Sequence, residues 1–208
     1  MTYIKICGLT NIKDALAAAD ADYLGFIFYE KSPRYITPDD FTKIARELPG
    51  MVRKVGVFVN GFDAGFDGLP FTYIQLHGEE DPVFVATVPR GYKVLRPASL
   101  EQFESEYARY AESIHQIDPM QPHMLIDAYH PAMHGGTGQQ IDREIAQAAA
   151  RRIPRLMLAG GLTPENVGDV VRAVHPFAVD VSSGVEAVPG KKDHGKIRAF
   201  VQAVREAG

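Results

Sequence analysis

The sequence predicts an α/β protein: a single-domain (β/α)8 (TIM) barrel over residues 1–208, with a shortened or missing third outer helix. Eight short apolar runs of strand length recur, at residues 3–7, 23–28, 52–59, 73–76, 92–95, 124–127, 155–159 and 177–181. They are rich in Val, Ile, Tyr and Phe, as buried strands are. Helical punctuation separates most of them, which implies a parallel sheet with helices outside it. Residues of functional character follow many strands instead of one, which favours a closed barrel over an open doubly wound sheet.

The helix starts are written in cap residues. Asn11 caps a helix through Leu16 to Ala19, and Thr37-Pro38 sets a cap before a first-turn proline. Ser99 with Gln102 forms a capping box that opens a helix toward Tyr110, with Glu101 and Glu104 favourably placed near its N-terminus. Thr163-Pro164-Glu165 repeats the cap-then-proline pattern before Val167, Val170, Val171 and Val174. Asp193 precedes a last helix that carries Ile197, Phe200, Val201 and Val204 on one stripe. The third unit breaks the pattern: residues 60–72 hold three glycines and a proline, so a turn or one 3₁₀ turn is expected there. Phe62, Phe66 and Phe71 would then cover the barrel wall directly.

Composition bounds the function. At 46% hydrophobic and 23% charged the chain is an ordinary globular protein, and a net charge of −4 disfavours nucleic acid or an anionic membrane as the main partner. Asp14, Asp20 and Asp22 interrupt the richest early apolar stretch, so no run approaches the ~18 residues of a membrane span. The N-terminus lacks a basic-then-apolar export signal, and a cytoplasmic location is expected. The one cysteine allows neither an internal disulfide nor an all-cysteine metal site.

The carboxyl ends of barrel strands carry chemistry. Reading them in order gives Cys7-Gly8, Ser32-Pro33-Arg34, Asn60, His77-Gly78, Arg96-Pro97, Asp127 with Gly135-Gly136-Thr137-Gly138, Gly160-Gly161, and Ser182-Ser183-Gly184. Side-chain alternation turns Lys5 and Cys7, Gln75 and His77, and Asp180 and Ser182 into the barrel. An ion pair between Lys5 and Asp180 is expected where the barrel closes. Glycines after the seventh and eighth strands allow backbone N–H groups to approach an anion, which points to phosphate.

Cys7 ends a strand with Lys5 on its own face, and a nearby cation favours the thiolate, a usable base or nucleophile. Asp127 ends an apolar strand, where burial raises a carboxyl pKa and keeps a proton available. The fork of Arg34 suits a substrate carboxylate. His77 is open between a ligand contact, an acid and a satisfied core histidine. His130 and His134 are four apart, but Pro131 and the glycines that follow make a regular helix unfavourable, and no metal is expected.

Together, Lys5-Ile-Cys-Gly-Leu-Thr10, Gly25-Phe-Ile-Phe28, Ser32-Pro-Arg-Tyr-Ile36, Val55-Gly-Val-Phe-Val59, Gln75-Leu-His-Gly78, Asp127 with Gly135 to Gly138, Leu158-Ala-Gly-Gly-Leu162 and Asp180-Val-Ser-Ser-Gly-Val-Glu186 resemble the phosphoribosylanthranilate isomerase family of tryptophan biosynthesis. The resemblance implies an Amadori rearrangement of phosphoribosylanthranilate, with Asp127 as general acid, Cys7 as general base and Arg34 on the anthranilate carboxylate. Substrate contacts are expected from Lys5, Gln75, His77, Gly136, Gly160, Gly161, Asp180, Ser183 and Gly184. An iminium serves as the electron sink, so no cofactor is expected, in a monomer or homodimer. Two other readings were open on the residues alone: a related sugar-phosphate isomerase or epimerase barrel, and a non-catalytic phosphate-ligand binding protein.

Overall fold

The computed structural model describes residues 1–61, 64–66, 68–115, 118–128 and 142–208. Its strands are β1 (Tyr3–Ile6), β2 (Tyr23–Ile27), β3 (Arg53–Phe58), β4 (Tyr73–Leu76), β5 (Gly91–Leu95), β6 (Met124–Ile126), β7 (Leu156–Leu158) and β8 (Ala178–Val181). They pair in sequence order, all parallel, and β8 returns to β1 to close the barrel. Closure sets Lys5 opposite Asp180 in register. A short antiparallel hairpin, β9 (Glu186–Val188) with β10 (Lys191–Lys192), follows β8 and was not foreseen from the sequence.

The caps act largely as their residue types predict. Asn11 starts α1 (Ile12–Ala17), Thr37 starts α2 (Pro38–Glu47), Ser99 starts α4 (Leu100–Tyr110) and Asp193 starts α7 (His194–Ala207), each side chain accepting a first-turn N–H. Two helices lacked a sequence assignment: α3 (Pro82–Thr87), capped by Asp81, and α5 (Arg143–Arg152), capped by Asp142. One cap is corrected. Thr163 does not cap a helix; α6 (Val167–Val174) starts later, after a turn. Asn166 there accepts from the Thr163 N–H and donates to the Gly161 carbonyl, so its amide braces the loop after β7 instead of the helix.

Alternation sorts the barrel's two cores. Ile4, Ile6, Leu24, Phe26, Leu76 and Val179 face the helices, while Tyr23, Val55, Tyr73, Tyr92, Leu125 and Met157 fill the interior. At the amino-terminal mouth, the Tyr23 hydroxyl donates to the Met120 carbonyl at 2.7 Å and Tyr73 to the Asp118 carboxylate at 2.7 Å. Those bonds tie the segment before β6 across the base of the barrel.

The third unit carries one 3₁₀ turn, Ala64–Phe66, in place of a helix among the described residues. Phe66 and Phe71 lie against the outer core, as expected; Phe62 is outside the described residues. Phe71 stacks on Phe41 at 4.8 Å and meets Phe28 edge-on at 5.2 Å. Gly56 on β3 makes room, since a Cβ there would come within 2.9 Å of the Phe71 ring. Aromatic rings thus do the covering that a helix does elsewhere. Phe71→Ala should cost about 3 kcal/mol in urea unfolding, the range for deleting a large packed ring; a loss below about 1 kcal/mol would show that the ring is not what closes this side.

Candidate active site

Cys7 lies just past β1, its N–H bonded to the Val181 carbonyl at 2.8 Å, so its place is fixed by the strand that closes the barrel. The thiol is free and only 5% exposed. Gly25 on β2 gives it room, because a Cβ at that position would stand 2.6 Å from Cys7 Sγ. Asp127 lies just past β6, tied to the Leu95 carbonyl through its N–H at 3.0 Å. Both groups therefore stand at the same mouth of the barrel.

A line of buried polar groups crosses the interior beneath them. Lys5 Nζ pairs with Asp180 Oδ1 at 3.0 Å, the contact expected from alternation, and donates to Gln75 Oε1 at 2.9 Å. Tyr92 Oη donates to the same Oε1 at 2.9 Å. Gln75 Nε2 meets His77 Nδ1 at 3.1 Å, and His77 Nε2 stands 3.6 Å from Asp127 Oδ2. Lys5 and Gln75, expected among the substrate contacts, have 0% and 1% exposure and lie in the layer below the mouth. They support the groups above them. Asp180 and His77, each 8% exposed, reach the pocket floor.

Burial raises both Asp127 and Cys7. Burial and the nearby Asp180 charge push the Asp127 carboxyl up to about 6, against the Ala128 N–H that donates to Oδ1 at 2.8 Å and the cations of Arg96 and Lys5. Cys7 departs from expectation. Burial pushes its thiol up, Asp180 adds to that, and Lys5 and Lys192 only partly offset the rise. The thiolate is thus not the resting form; the sequence shows the lysine but not how dry the site is. Burial alone would lower the Lys5 ammonium, yet Asp180, Cys7 and Tyr92 outweigh it and hold the charge in place.

Arg34 sits over Gly8, where a Cβ would meet its Cδ at 2.6 Å. Its Nε and Nη2 grip Glu186 at 2.8 and 2.7 Å, a two-pronged pair that aims the guanidinium. Lys192 Nζ also donates to Glu186, at 3.0 Å, and to the Ser182 carbonyl at 3.0 Å. Glu186, Lys192 and Tyr92 were not identified as site residues from the sequence. A fork such as Arg34 needs a carboxylate to hold it, which was the one available signal for Glu186; Lys192 on a two-residue strand and Tyr92 in an apolar run gave none.

The loops after β7 and β8 meet. Gly160 and Gly161 take φ of 97° and 62°, and a Cβ on Gly160 would strike the Ala128 backbone at 2.7 Å. A Cβ on Gly184 would collide with the Leu162 carbonyl oxygen. Ser183 and Gly184 lie in a 3₁₀ turn directly after β8. Gly136, His130 and His134 lie outside the described residues. Among the described residues no group of three or more His, Cys, Asp or Glu side chains could hold a metal ion, and no helix is long and apolar enough to cross a membrane.

The raised Asp127 carboxyl has a thermodynamic consequence. Its folded pKa of about 6 lies above the ordinary 3.8, so the group contributes most to stability when protonated and loses that contribution as pH rises through 6. Asp127→Asn carries no such titration. Relative to the parent, this variant should gain roughly 1–2 kcal/mol between pH 5 and pH 8 in urea unfolding. Parallel pH dependences would show an unperturbed carboxyl.

A family model described as N-(5'phosphoribosyl)anthranilate (PRA) isomerase matches residues 4–203. An N-(5'-phosphoribosyl)anthranilate isomerase of Geobacter sp. (strain M21) is 45% identical over 216 residues, covering 99% of each chain. The crystal structure of phosphoribosyl anthranilate isomerase from Thermotoga maritima is 38% identical, with a TM-score of 0.86, and covers 99% of this chain and 100% of its own. A phosphoribosyl anthranilate isomerase in complex with reduced 1-(o-carboxyphenylamino)-1-deoxyribulose 5-phosphate matches at 37% identity and a TM-score of 0.84, covering 99% of this chain and 100% of its own. With eight parallel strands closed into one barrel and a match along nearly its whole length, this chain belongs to the N-(5'-phosphoribosyl)anthranilate isomerase family.

Proposed function

We propose that Asp127 is the general acid and Cys7 the general base in the isomerisation of N-(5'-phosphoribosyl)anthranilate, the step of tryptophan biosynthesis to which the family belongs. The observation that carries this reading is the placement of Cys7, just past β1, and Asp127, just past β6, both buried at the same mouth of the barrel. Burial beside Asp180 also raises the Asp127 carboxyl to about 6, so that it holds a proton more readily than an ordinary carboxyl does.

The reaction balances with these two groups. Asp127 delivers its proton to the ribose ring oxygen while the C1–O bond breaks, and the anilino nitrogen lone pair forms the C1=N iminium. That cation acidifies the C2 hydrogen. Cys7 removes it, and the C2–H electrons form the C1=C2 bond as the iminium nitrogen regains its lone pair. The enaminol then gains a proton at C1 and loses one from the C2 hydroxyl, giving the aminoketose. Arg34, aimed by Glu186, faces the anthranilate carboxylate in this reading. The loops with Gly160, Gly161, Ser183 and Gly184 hold the phosphate, with Gly136 as a further contact, and His77 and Asp180 form the floor under the sugar. A related complex bears a reduced form of the expected product, which is the same chemical class of ligand.

Cys7→Ser and Asp127→Asn should each lower kcat by more than roughly 10²-fold with KM little changed, since each removes a proton transfer made in the transition state. The decay of substrate fluorescence measures this directly. Near-normal turnover in either variant would remove that residue from its role.

A further inference from the structure

The amide of Gln75 has two unlike ends, and the barrel interior fixes which end points where. Its oxygen can only accept and its nitrogen can only donate. Lys5 Nζ, a donor with no lone pair, lies 2.9 Å from Oε1, and Tyr92 Oη lies 2.9 Å from the same atom. Reversing the amide would aim an NH₂ group at an ammonium, so the orientation is set by charge and not by shape. Nε2 is thereby turned to His77 Nδ1 at 3.1 Å. A donor on that side leaves Nδ1 one role, that of acceptor. In the neutral ring the proton then resides on Nε2.

His77 Nε2 is the ring nitrogen that approaches Asp127 Oδ2, at 3.6 Å. That separation is beyond a hydrogen bond in the resting site and within a few tenths of an ångström of one. The other carboxyl oxygen, Oδ1, already accepts from the Ala128 N–H. Oδ2 is thus the oxygen served by His77. Around Asp127 stand Asp180 from β8, Lys5 from β1, Arg96 beyond β5 and His77 beyond β4.

We propose that Lys5, Tyr92 and Gln75 form a positioning relay that locks His77 in its Nε2–H tautomer, so that the ring offers an N–H to Asp127 Oδ2 as that carboxyl gives up its proton. Tyr92 and Gln75 are buried in the layer below the mouth, at 0% and 1% exposure, and act through His77. The relay's catalytic consequence rests on Asp127 being the general acid, but the tautomer itself does not.

Ring ¹⁵N NMR of His77 in the intact protein at about pH 8, where an ordinary imidazole is neutral, reads the tautomer directly. The relay predicts Nε2–H in the parent. Gln75→Glu replaces the donor with an acceptor and should move the proton to Nδ1. Gln75→Met, which adds no charge, should leave a mixture of the two tautomers. In both variants kcat should fall by about 10-fold or more with KM within about threefold, the signature of a lost transition-state interaction. An Nδ1–H ring in the parent, or a ring unmoved by both substitutions, overturns the lock. Tautomers that shift while kcat stays at the parent value overturn its catalytic consequence. Failure of the acid assignment alone would appear instead as Asp127→Asn with normal turnover and the predicted tautomers intact.

Discussion

The buried ion pair between Lys5 and Asp180 is the contact on which the site depends. It spans the seam where β8 meets β1, and the register of that seam puts the two residues opposite each other. A lysine with no exposed surface is tolerable only with a partner, because an unpaired buried charge costs several kcal/mol. Asp180 supplies that partner and at the same time presents negative charge to Asp127 and Cys7. One ion pair thus links the side chains across the closing β1–β8 seam and sets the field around Asp127 and Cys7.

That field has a consequence for the order of events. With the carboxyl raised to about 6 and burial raising the thiol as well, protonated Asp127 and ionised Cys7 are seldom present together in the free protein. The chemistry removes the conflict. In the proposed mechanism Asp127 acts first, and its proton turns the substrate into an iminium cation beside the thiol. A cation within a few ångströms favours the thiolate, so the base forms as its substrate becomes acidic. A dry thiol at rest is also protected from oxidation, which follows thiolate character and exposure.

Much of this was legible in the sequence because it rests on short-range rules. Strand alternation placed Lys5 and Asp180 inside, four helix starts followed from their cap residues, and three glycines with a proline foretold the missing helix. What escaped notice depends on residues far apart in the chain. Gln75 and Lys5 read as ligand contacts because both point inward on functional strands; only the packing shows that they lie a layer below. The thiol's state turned on burial, which a neighbouring lysine in the sequence does not reveal. Arg34 and Glu186 are 152 residues apart, and nothing local links them. Thr163 looked like a cap because local chemistry permits it, but Asn166 is engaged with the Gly161 loop and the helix begins later.

Carboxyl ¹³C NMR titration of Asp127 in the Asp180→Asn protein, beside the parent, reaches the centre of this account. Removing the Asp180 charge should lower the Asp127 midpoint from about 6 toward the ordinary carboxylate range, and the now unpaired Lys5 should push it the same way. A midpoint that stays where the parent has it would mean that the seam pair sits in the barrel without governing the Asp127 carboxyl.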